Sequence, residues 1–373
     1  MATITTHAAV ARAPHQGWEL TDLQLDDPKE HEVRIKFAAS GLCHSDDHIT
    51  AGDAPVRFPV VGGHEGAGIV ESIGPNVNRV KVGDRVVCSY IPACGACRPC
   101  STGHQNMCVK GLNAGTGMFL DGTYRFHKDG EDFGGFCSLG TFSQYAVVSE
   151  WAVVPLADDI PFEIASLVGC GVPTGWGSAV YAAGVKPGET AVIFGAGGVG
   201  SNAVQGARYA GAKNVVVIDP VDFKREKAME FGATHTFADA KEAHDFVNAT
   251  TWGQLADHAI LTPGVVTEEM VMQAVMMTGK GGKVTITGVG ALKEKAVHVP
   301  AGLLIGYQRQ IRGALFGDCN PLYDIPKLLG LYRSGDLKLD ELVTRTYALD
   351  DVNEAYKDLA AGKNIRGVIV HDI

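Results

Sequence analysis

Short runs in which apolar and polar residues alternate dominate the first half of the chain. Val33-Arg-Ile-Lys-Phe37 has the in–out period of a half-buried strand, and Gly68-Ile-Val-Glu-Ser-Ile73 and Asp84-Arg-Val-Val-Cys88 share it. The turns Gly74-Pro75-Asn76 and Lys81-Val82-Gly83-Asp84 punctuate them. This half is expected to be mostly β. The pattern changes near Gly171. Ala191-Val-Ile-Phe194 and Asn214-Val-Val-Val-Ile218 are continuous apolar runs, followed by helical patterns over Gly198 to Ala210 and Asp222 to Phe231. Such alternation predicts βαβ units and a parallel sheet, with Lys283-Val-Thr-Ile-Thr287 as a later strand. From about Phe316 the character is mixed again, ending in the strand-like Gly367-Val-Ile-Val-His371.

The uncharged stretch from Ile164 to Val185 is long enough to span a bilayer. Its glycines, Pro173, Thr174 and Trp176 favour a buried strand–turn–helix instead. With 373 residues, two domains are expected. Hydrophobic residues at 46% and charged residues at 20% give ample core and argue against disorder. A net charge of −10 gives no electrostatic reason to seek nucleic acid or an anionic membrane. Met1 to Val10 lacks the basic start and apolar core of an export signal, so the chain is expected to be cytoplasmic. Nine cysteines without such a signal point to metal ligation or buried thiols, not to a disulfide framework.

Gly195-Ala196-Gly197-Gly198-Val199-Gly200 fits G-x-G-x-x-G between an apolar strand and a helix, and Asp219 ends the next strand. Each part has a chemical reason. Gly195 allows the tight turn, Gly197 lets backbone approach a pyrophosphate, and Gly200 lets helix and strand pack closely. The helix start, at Gly198 and Val199, presents free N–H groups to the phosphates. Asp219 can accept from both ribose hydroxyls and would repel a 2′-phosphate, which favours NAD over NADP. Lys224, just beyond, could help hold the ribose.

Cys94-Gly-Ala-Cys97-Arg-Pro-Cys100, followed by Cys108, can place four thiolates around one ion. A closed four-cysteine set is the structural zinc arrangement, expected here to hold a lobe over 94–108. An iron–sulfur cluster and unligated thiols are the rival readings.

Taken together, these residues resemble the zinc-dependent medium-chain alcohol dehydrogenases across essentially the whole chain. The resemblance is carried by Gly41-Leu-Cys-His-Ser-Asp-Asp-His48, Gly62-Gly-His-Glu-Gly-Ala-Gly68, the cysteine lobe, Thr141-Phe-Ser-Gln-Tyr145, Val168-Gly-Cys-Gly-Val-Pro-Thr-Gly175, the glycine loop and Asn364-Ile-Arg-Gly-Val-Ile-Val370. Val61-Gly-Gly-His-Glu65, Ser89-Tyr-Ile-Pro-Ala-Cys94 and Asp219-Pro-Val-Asp-Phe-Lys-Arg-Glu-Lys227 are most similar to an actinobacterial subgroup of nicotinoproteins. Those enzymes keep NAD(H) bound and are assayed with the acceptor N,N-dimethyl-4-nitrosoaniline.

The resemblance implies a site that spacing alone could not assemble. Cys43, His64 and Cys170 would hold a catalytic zinc with one open position, the arrangement known for alcohol dehydrogenases. Cys88, Cys137 and Cys319 are then ordinary thiols. Glu65 would stand beside the metal as a transient ligand, and Asp46 would orient His64. Ser45 would touch the substrate oxygen, and the proton would leave through Ser45, the cofactor ribose and His48 to solvent. His44 would face the pyrophosphate, Arg366 the cofactor phosphates and Thr174 the nicotinamide. The implied fold is α/β. A GroES-like, mostly β catalytic domain over 1–171 and 315–373 would surround a doubly wound Rossmann domain over 172–314, with the site in the cleft between them. Lys283 to Gly290 resembles the family's subunit-joining edge, so a homodimer or homotetramer is expected. The implied activity is hydride transfer between an alcohol, primary above all, or an aldehyde and NAD(H), with an external electron acceptor if the cofactor stays bound. Two alternatives stay open: a formaldehyde dehydrogenase that requires glutathione or mycothiol, and an NAD-binding protein without catalysis.

Overall fold

The computed structural model describes residues 3–288 and 296–372. The chain forms two compact units. One comprises Met1–Cys170, Asn320–Arg333 and Leu339–Ile373, and the other Gly171–Cys319 and Ser334–Lys338.

The first unit is built on β-structure. Thr3–Ala11, Glu19–Asp26, Phe126–Lys128, Glu131–Gly135 and Val60–Val61 close into a small barrel. A second sheet runs from Val153–Pro155 through Arg85–Cys88, Gly66–Ile73, Glu32–Gly41 and Arg366–Val370 to Val343–Tyr347. The alternation at Val33, Ile35 and Phe37 does send those side chains into the core, with Val70, Val86 and Val148. The strand is nonetheless buried on both faces, not one. Arg34 is 8% exposed, because Asp27 and Glu71 pair with its guanidinium. The C-terminal strand matters for the site. Arg366–Val370 pairs antiparallel with Glu32–Gly41, placing Val368 opposite Gly41.

That strand leads into a buried titratable group. His371 is 7% exposed, and burial holds its imidazole down at about 4, against an ordinary 6.5. The folded value lies below the unfolded one, so the unfolded chain takes up the proton first as pH falls. Stability from this residue is complete above pH ~6.5 and is lost towards pH ~4, by about 3 kcal/mol. Replacing His371 with Asn should flatten the acid limb of the Tm–pH profile in that window. Parallel profiles for the two proteins would rule the effect out.

The second unit is a parallel sheet. From one edge the order is His235–Phe237, Asn214–Ile218, Thr190–Phe194, Ala256–Leu261, Thr278–Ile286 and Gln310–Gly313. This is the doubly wound order, and its direction reverses beside Thr190–Phe194, where such folds bind dinucleotides outside the carboxyl ends of the strands. The core holds Val192, Val216, Ala259, Leu261 and Val284.

The stretch from Ile164 to Val185 differs from expectation. It contains no strand: Phe162–Leu167 and Gly171–Gly177 are α-helices, and Ser178–Ala183 is a π-helical turn. An apolar run carries no period that separates a buried helix from a buried strand. Here small residues decide. A Cβ on Gly175 would lie 2.0 Å from the Val199 carbonyl oxygen, and one on Gly206 2.6 Å from that of Trp176. The helices Gly171–Gly177 and Gly198–Tyr209 therefore pack backbone to backbone, with Trp176 at 1% exposure. No described helix is long and apolar enough to cross a membrane. Of the expected subunit-joining edge, Val289 and Gly290 lie outside the described residues.

Candidate active site

Four residues of the first unit, from three separate stretches of sequence, offer ligand atoms that all lie within 4.8 Å of one another: Cys43, His64, Glu65 and Cys170. The backbone explains how. The Gly41 N–H donates to the Glu65 carbonyl at 2.8 Å, and that of Leu42 to the Gly367 carbonyl at 2.9 Å. Cys43 then sits at the N-cap of the helix His44–Thr50 without making a capping bond, so its sulfur is left for another partner. Gly63 turns at φ +84°, and a Cβ there would strike Thr141 Oγ1 at 2.5 Å. Its N–H donates to Asp46 Oδ1 at 2.8 Å.

Asp46 is fully buried, and its Oδ2 lies 3.0 Å from His64 Nδ1 without hydrogen-bond alignment. That leaves Nε2 for the cluster. Tyr90 and Phe136 meet the His64 ring edge-on at centroid distances of 5.7 and 5.3 Å. Arg366, 4% exposed, pairs with Glu65 Oε2, while Glu65 Oε1 has no hydrogen-bond partner. The Tyr356 hydroxyl donates to the Cys43 carbonyl at 3.3 Å. Ser45 Oγ lies 3.6 Å from Cys43 Sγ.

The electrostatics suit a cation. A hydrogen bond from Cys170 holds the Cys43 thiol well below its usual range despite burial, with His64 assisting. The same interaction, and burial, push Cys170 well up. Burial lifts Glu65 to about 7, against the pull of Arg366. Burial disfavours a charged His64, but Asp46 and Cys43 outweigh it and raise the imidazole well above 6.5. Two sulfurs, an imidazole nitrogen and an unpartnered carboxylate oxygen in a buried pocket fit a zinc ion. Tetrahedral ligation at ~2.0–2.3 Å needs only a modest closing of the set, to roughly 3.3–3.8 Å between ligand atoms.

A second cluster is formed by Cys94, Cys97, Cys100 and Cys108, again within 4.8 Å. The Cys97 thiol is held down at about 6 by backbone N–H groups of Val109 and Cys100, so thiolate is favoured there. This closed, all-sulfur set fits a structural zinc.

In the second unit the glycine loop carries the expected geometry. Gly195 has φ +86°, a Cβ on Gly200 would lie 2.0 Å from the Gly195 carbonyl oxygen, and one on Gly197 would meet nothing within 4 Å. Gly197 caps the helix Gly198–Tyr209 without a side chain, leaving its N–H groups for an anion. Asp219, 5% exposed, accepts from the Ala196 N–H at 2.8 Å and the Val221 N–H at 2.9 Å. Thr174 Oγ1 is buried without a partner. An open cradle, free amides, a fixed acid and an orphaned hydroxyl fit a bound dinucleotide. Lys224 lies on the next helix, Asp222–Glu230, and Arg225 donates to the Asp219 carbonyl at 2.6 Å.

Residues 29–158 match the alcohol dehydrogenase GroES-like domain, and 198–334 match the zinc-binding dehydrogenase domain. The NDMA-dependent alcohol dehydrogenase of Amycolatopsis methanolica is 54% identical over 366 residues, 98% of this chain and 99% of that protein. The chain belongs to the zinc-dependent medium-chain alcohol dehydrogenases. Alcohol dehydrogenase B of Mycobacterium tuberculosis (strain ATCC 25618 / H37Rv) is 44% identical to this dehydrogenase over 95% of each chain. The crystal structure of benzyl alcohol dehydrogenase from Acinetobacter calcoaceticus matches it with a TM-score of 0.91 at 31% identity, covering 99% of this chain and 100% of that one.

Sequence reasoning about this dehydrogenase missed the groups that shape the metal pocket. Tyr90, Phe136 and Tyr356 reach it from three separate segments, and nothing local marks them. Cys137, expected to be an ordinary thiol, is close enough to His64, Asp46 and Cys43 to feel their charge, although burial is what pushes it up to about 12.

Proposed function

We propose that this enzyme oxidises primary alcohols, or reduces the corresponding aldehydes, with NAD(H) that it keeps bound, and passes the hydride to an external acceptor. The observation that carries the reading is the cluster of Cys43, His64, Glu65 and Cys170, the last three of them buried. Cys43, His64 and Cys170 hold zinc, and Asp46 keeps His64 turned toward it. Bound zinc supplies a Lewis acid that lowers the pKa of an alcohol oxygen. Bound NAD supplies the hydride acceptor. Glu65, tethered by Arg366, is a carboxylate that would stand beside a zinc held there. Ser45 accepts the substrate proton and His48 carries it onward. Gly195, Gly197, Gly198, Val199 and Gly200 seat the pyrophosphate, and Asp219 and Lys224 hold the ribose. His44 and Arg366 face the phosphates, and Thr174 faces the nicotinamide.

Two likenesses support the finer parts. The relative at 54% identity bears an NDMA-dependent name, which favours a retained cofactor. The structural neighbour at 31% identity is named for benzyl alcohol, a primary alcohol. Among the described residues the parallel sheet ends in Gln310–Gly313, and such an edge strand suits pairing with a second copy. A homodimer or homotetramer is proposed on that basis.

Native mass spectrometry after gel filtration without cofactor tests the reading. Two zinc ions and one NAD(H) per subunit are expected, with NDMA reduced by alcohol in the absence of added NAD. Complete dependence on added NAD would overturn the retained cofactor. A strict requirement for glutathione or mycothiol would favour the formaldehyde dehydrogenase reading instead.

A further inference from the structure

We propose that Asp53 is the proton outlet for His48, connecting a buried relay to solvent; this rests on the reading of Ser45 and His48 given above. The resemblance places the end of the relay at His48 itself. His48 is only 6% exposed, however, so its ring is poorly placed to deliver a proton directly to bulk water.

The local backbone supplies a neighbour. The helix His44–Thr50 ends at Ala51, and Gly52 turns at φ +74°, where a Cβ would come 3.0 Å from Pro14 Cβ. The chain doubles back, and the N–H groups of Asp53 and Ala54 both donate to the His48 carbonyl, at 2.8 and 3.0 Å. The His15 N–H closes the other side onto the Thr50 carbonyl at 2.6 Å. This double clamp carries the Asp53 carboxylate beside the ring, with Oδ2 3.9 Å from Nδ1, and its side chain is 19% exposed. The separation is one small rotation, or one water, from a hydrogen bond.

The proton balance is simple. Nδ1 faces Asp53, so the proposed path enters the ring at Nε2. A proton arriving at Nε2 makes the imidazolium. The Nδ1–H bond then breaks, an O–H bond forms on Asp53, and the ring returns to neutral in the other tautomer. The carboxylic acid gives its proton to water, and the starting tautomer returns when the ring loses its Nε2 proton to water and takes one from water at Nδ1, an exchange that moves no net proton. Two histidine nitrogens and a carboxylate that is 19% exposed form a path to water that a ring alone at this depth would lack.

The test compares Asp53→Asn, Asp53→Glu, His48→Gln and the double variant Asp53→Asn/His48→Gln in the holoenzyme. Asp53→Asn preserves shape and the backbone clamp, so unfolding midpoints should match wild type. Its kcat for alcohol oxidation should fall about tenfold with KM unchanged, and added formate or imidazole should restore the rate. Asp53→Glu should retain most of the rate. The double variant should be no slower than His48→Gln alone. Separately, 15N NMR of histidine-labelled protein should show His48 protonated at Nδ1 in wild type and shifted toward the Nε2 tautomer in Asp53→Asn. A normal rate for Asp53→Asn beside a slow His48→Gln, or additive losses in the double variant, would overturn the outlet. A normal rate for His48→Gln would instead overturn the relay on which the outlet depends.

Discussion

Cys43→Ser is expected to abolish alcohol turnover, by at least about a thousandfold, while the protein stays folded and keeps a single zinc. The two halves of that outcome have different causes. The loss follows from the donor set. Cys43 supplies one of the two sulfurs in the set, and it is the thiolate that binds metal. A hydroxyl in its place stays protonated and binds zinc poorly. His64, Glu65 and Cys170 would remain within reach of one another, so weak or off-centre metal binding is the most the variant can retain. The survival of the fold follows from position. Cys43 is an N-cap residue whose side chain makes no capping bond, and serine is among the best residues at an N-cap. The cores of the two units are built from aliphatic and aromatic side chains elsewhere. Metal counting, the unfolding midpoint and turnover measured on one preparation separate these effects. A variant that keeps wild-type turnover with one zinc would remove the basis for assigning catalysis to this cluster.

How much of this was legible in the sequence depends on whether a signal was local. The parallel sheet was, because Ala191–Phe194 and Asn214–Ile218 are runs of β-branched and apolar residues, each followed by a helical period. The glycine loop was, because Gly195, Gly197 and Gly200 each answer a separate steric demand visible in their spacing. The four-cysteine cluster was, because its ligands lie within fifteen consecutive positions, Cys94 to Cys108. The open cluster was not. Cys43, His64 and Cys170 are joined only through strand pairing and the Gly41 and Leu42 backbone bonds, so resemblance, not spacing, connected them. Arg366 shows the limit most clearly. Its side chain pairs with Glu65, a contact across 301 positions that no pattern near either residue announces. The helices within 162–183 failed for a different reason: a fully buried apolar segment loses the one-sided period on which strand and helix are told apart.

Loss of the all-sulfur zinc should unfold a defined piece of the molecule, not the whole. Little apolar packing is available to hold the segment from Cys94 to Leu112. Met107, Val109 and Leu112 are 51%, 40% and 80% exposed, and helical structure there is limited to Arg98–Ser101 and two 3₁₀ turns. What converges inside are four sulfurs, two of them, in Cys100 and Cys108, buried. Without an ion these groups oppose one another. Burial pushes Cys108 up to about 12, while backbone N–H groups draw Cys97 down to about 6, so the cluster is poised to share charge with a cation. Zinc offsets that conflict and supplies the folding energy that a core would otherwise provide. Cys97→Ser makes the sharper test, because Cys97 is only half-buried and a serine there should cost almost nothing if the thiols were unligated. The expected result is one zinc lost per subunit, destabilisation of at least about 3 kcal/mol in the lobe, and rapid protease cleavage confined to 94–120. Cys88→Ser, at a buried thiol outside both clusters, controls for the chemistry of the exchange and should leave the zinc count at two. Equal protease resistance in Cys97→Ser and wild type would mean that the lobe is held by something other than metal.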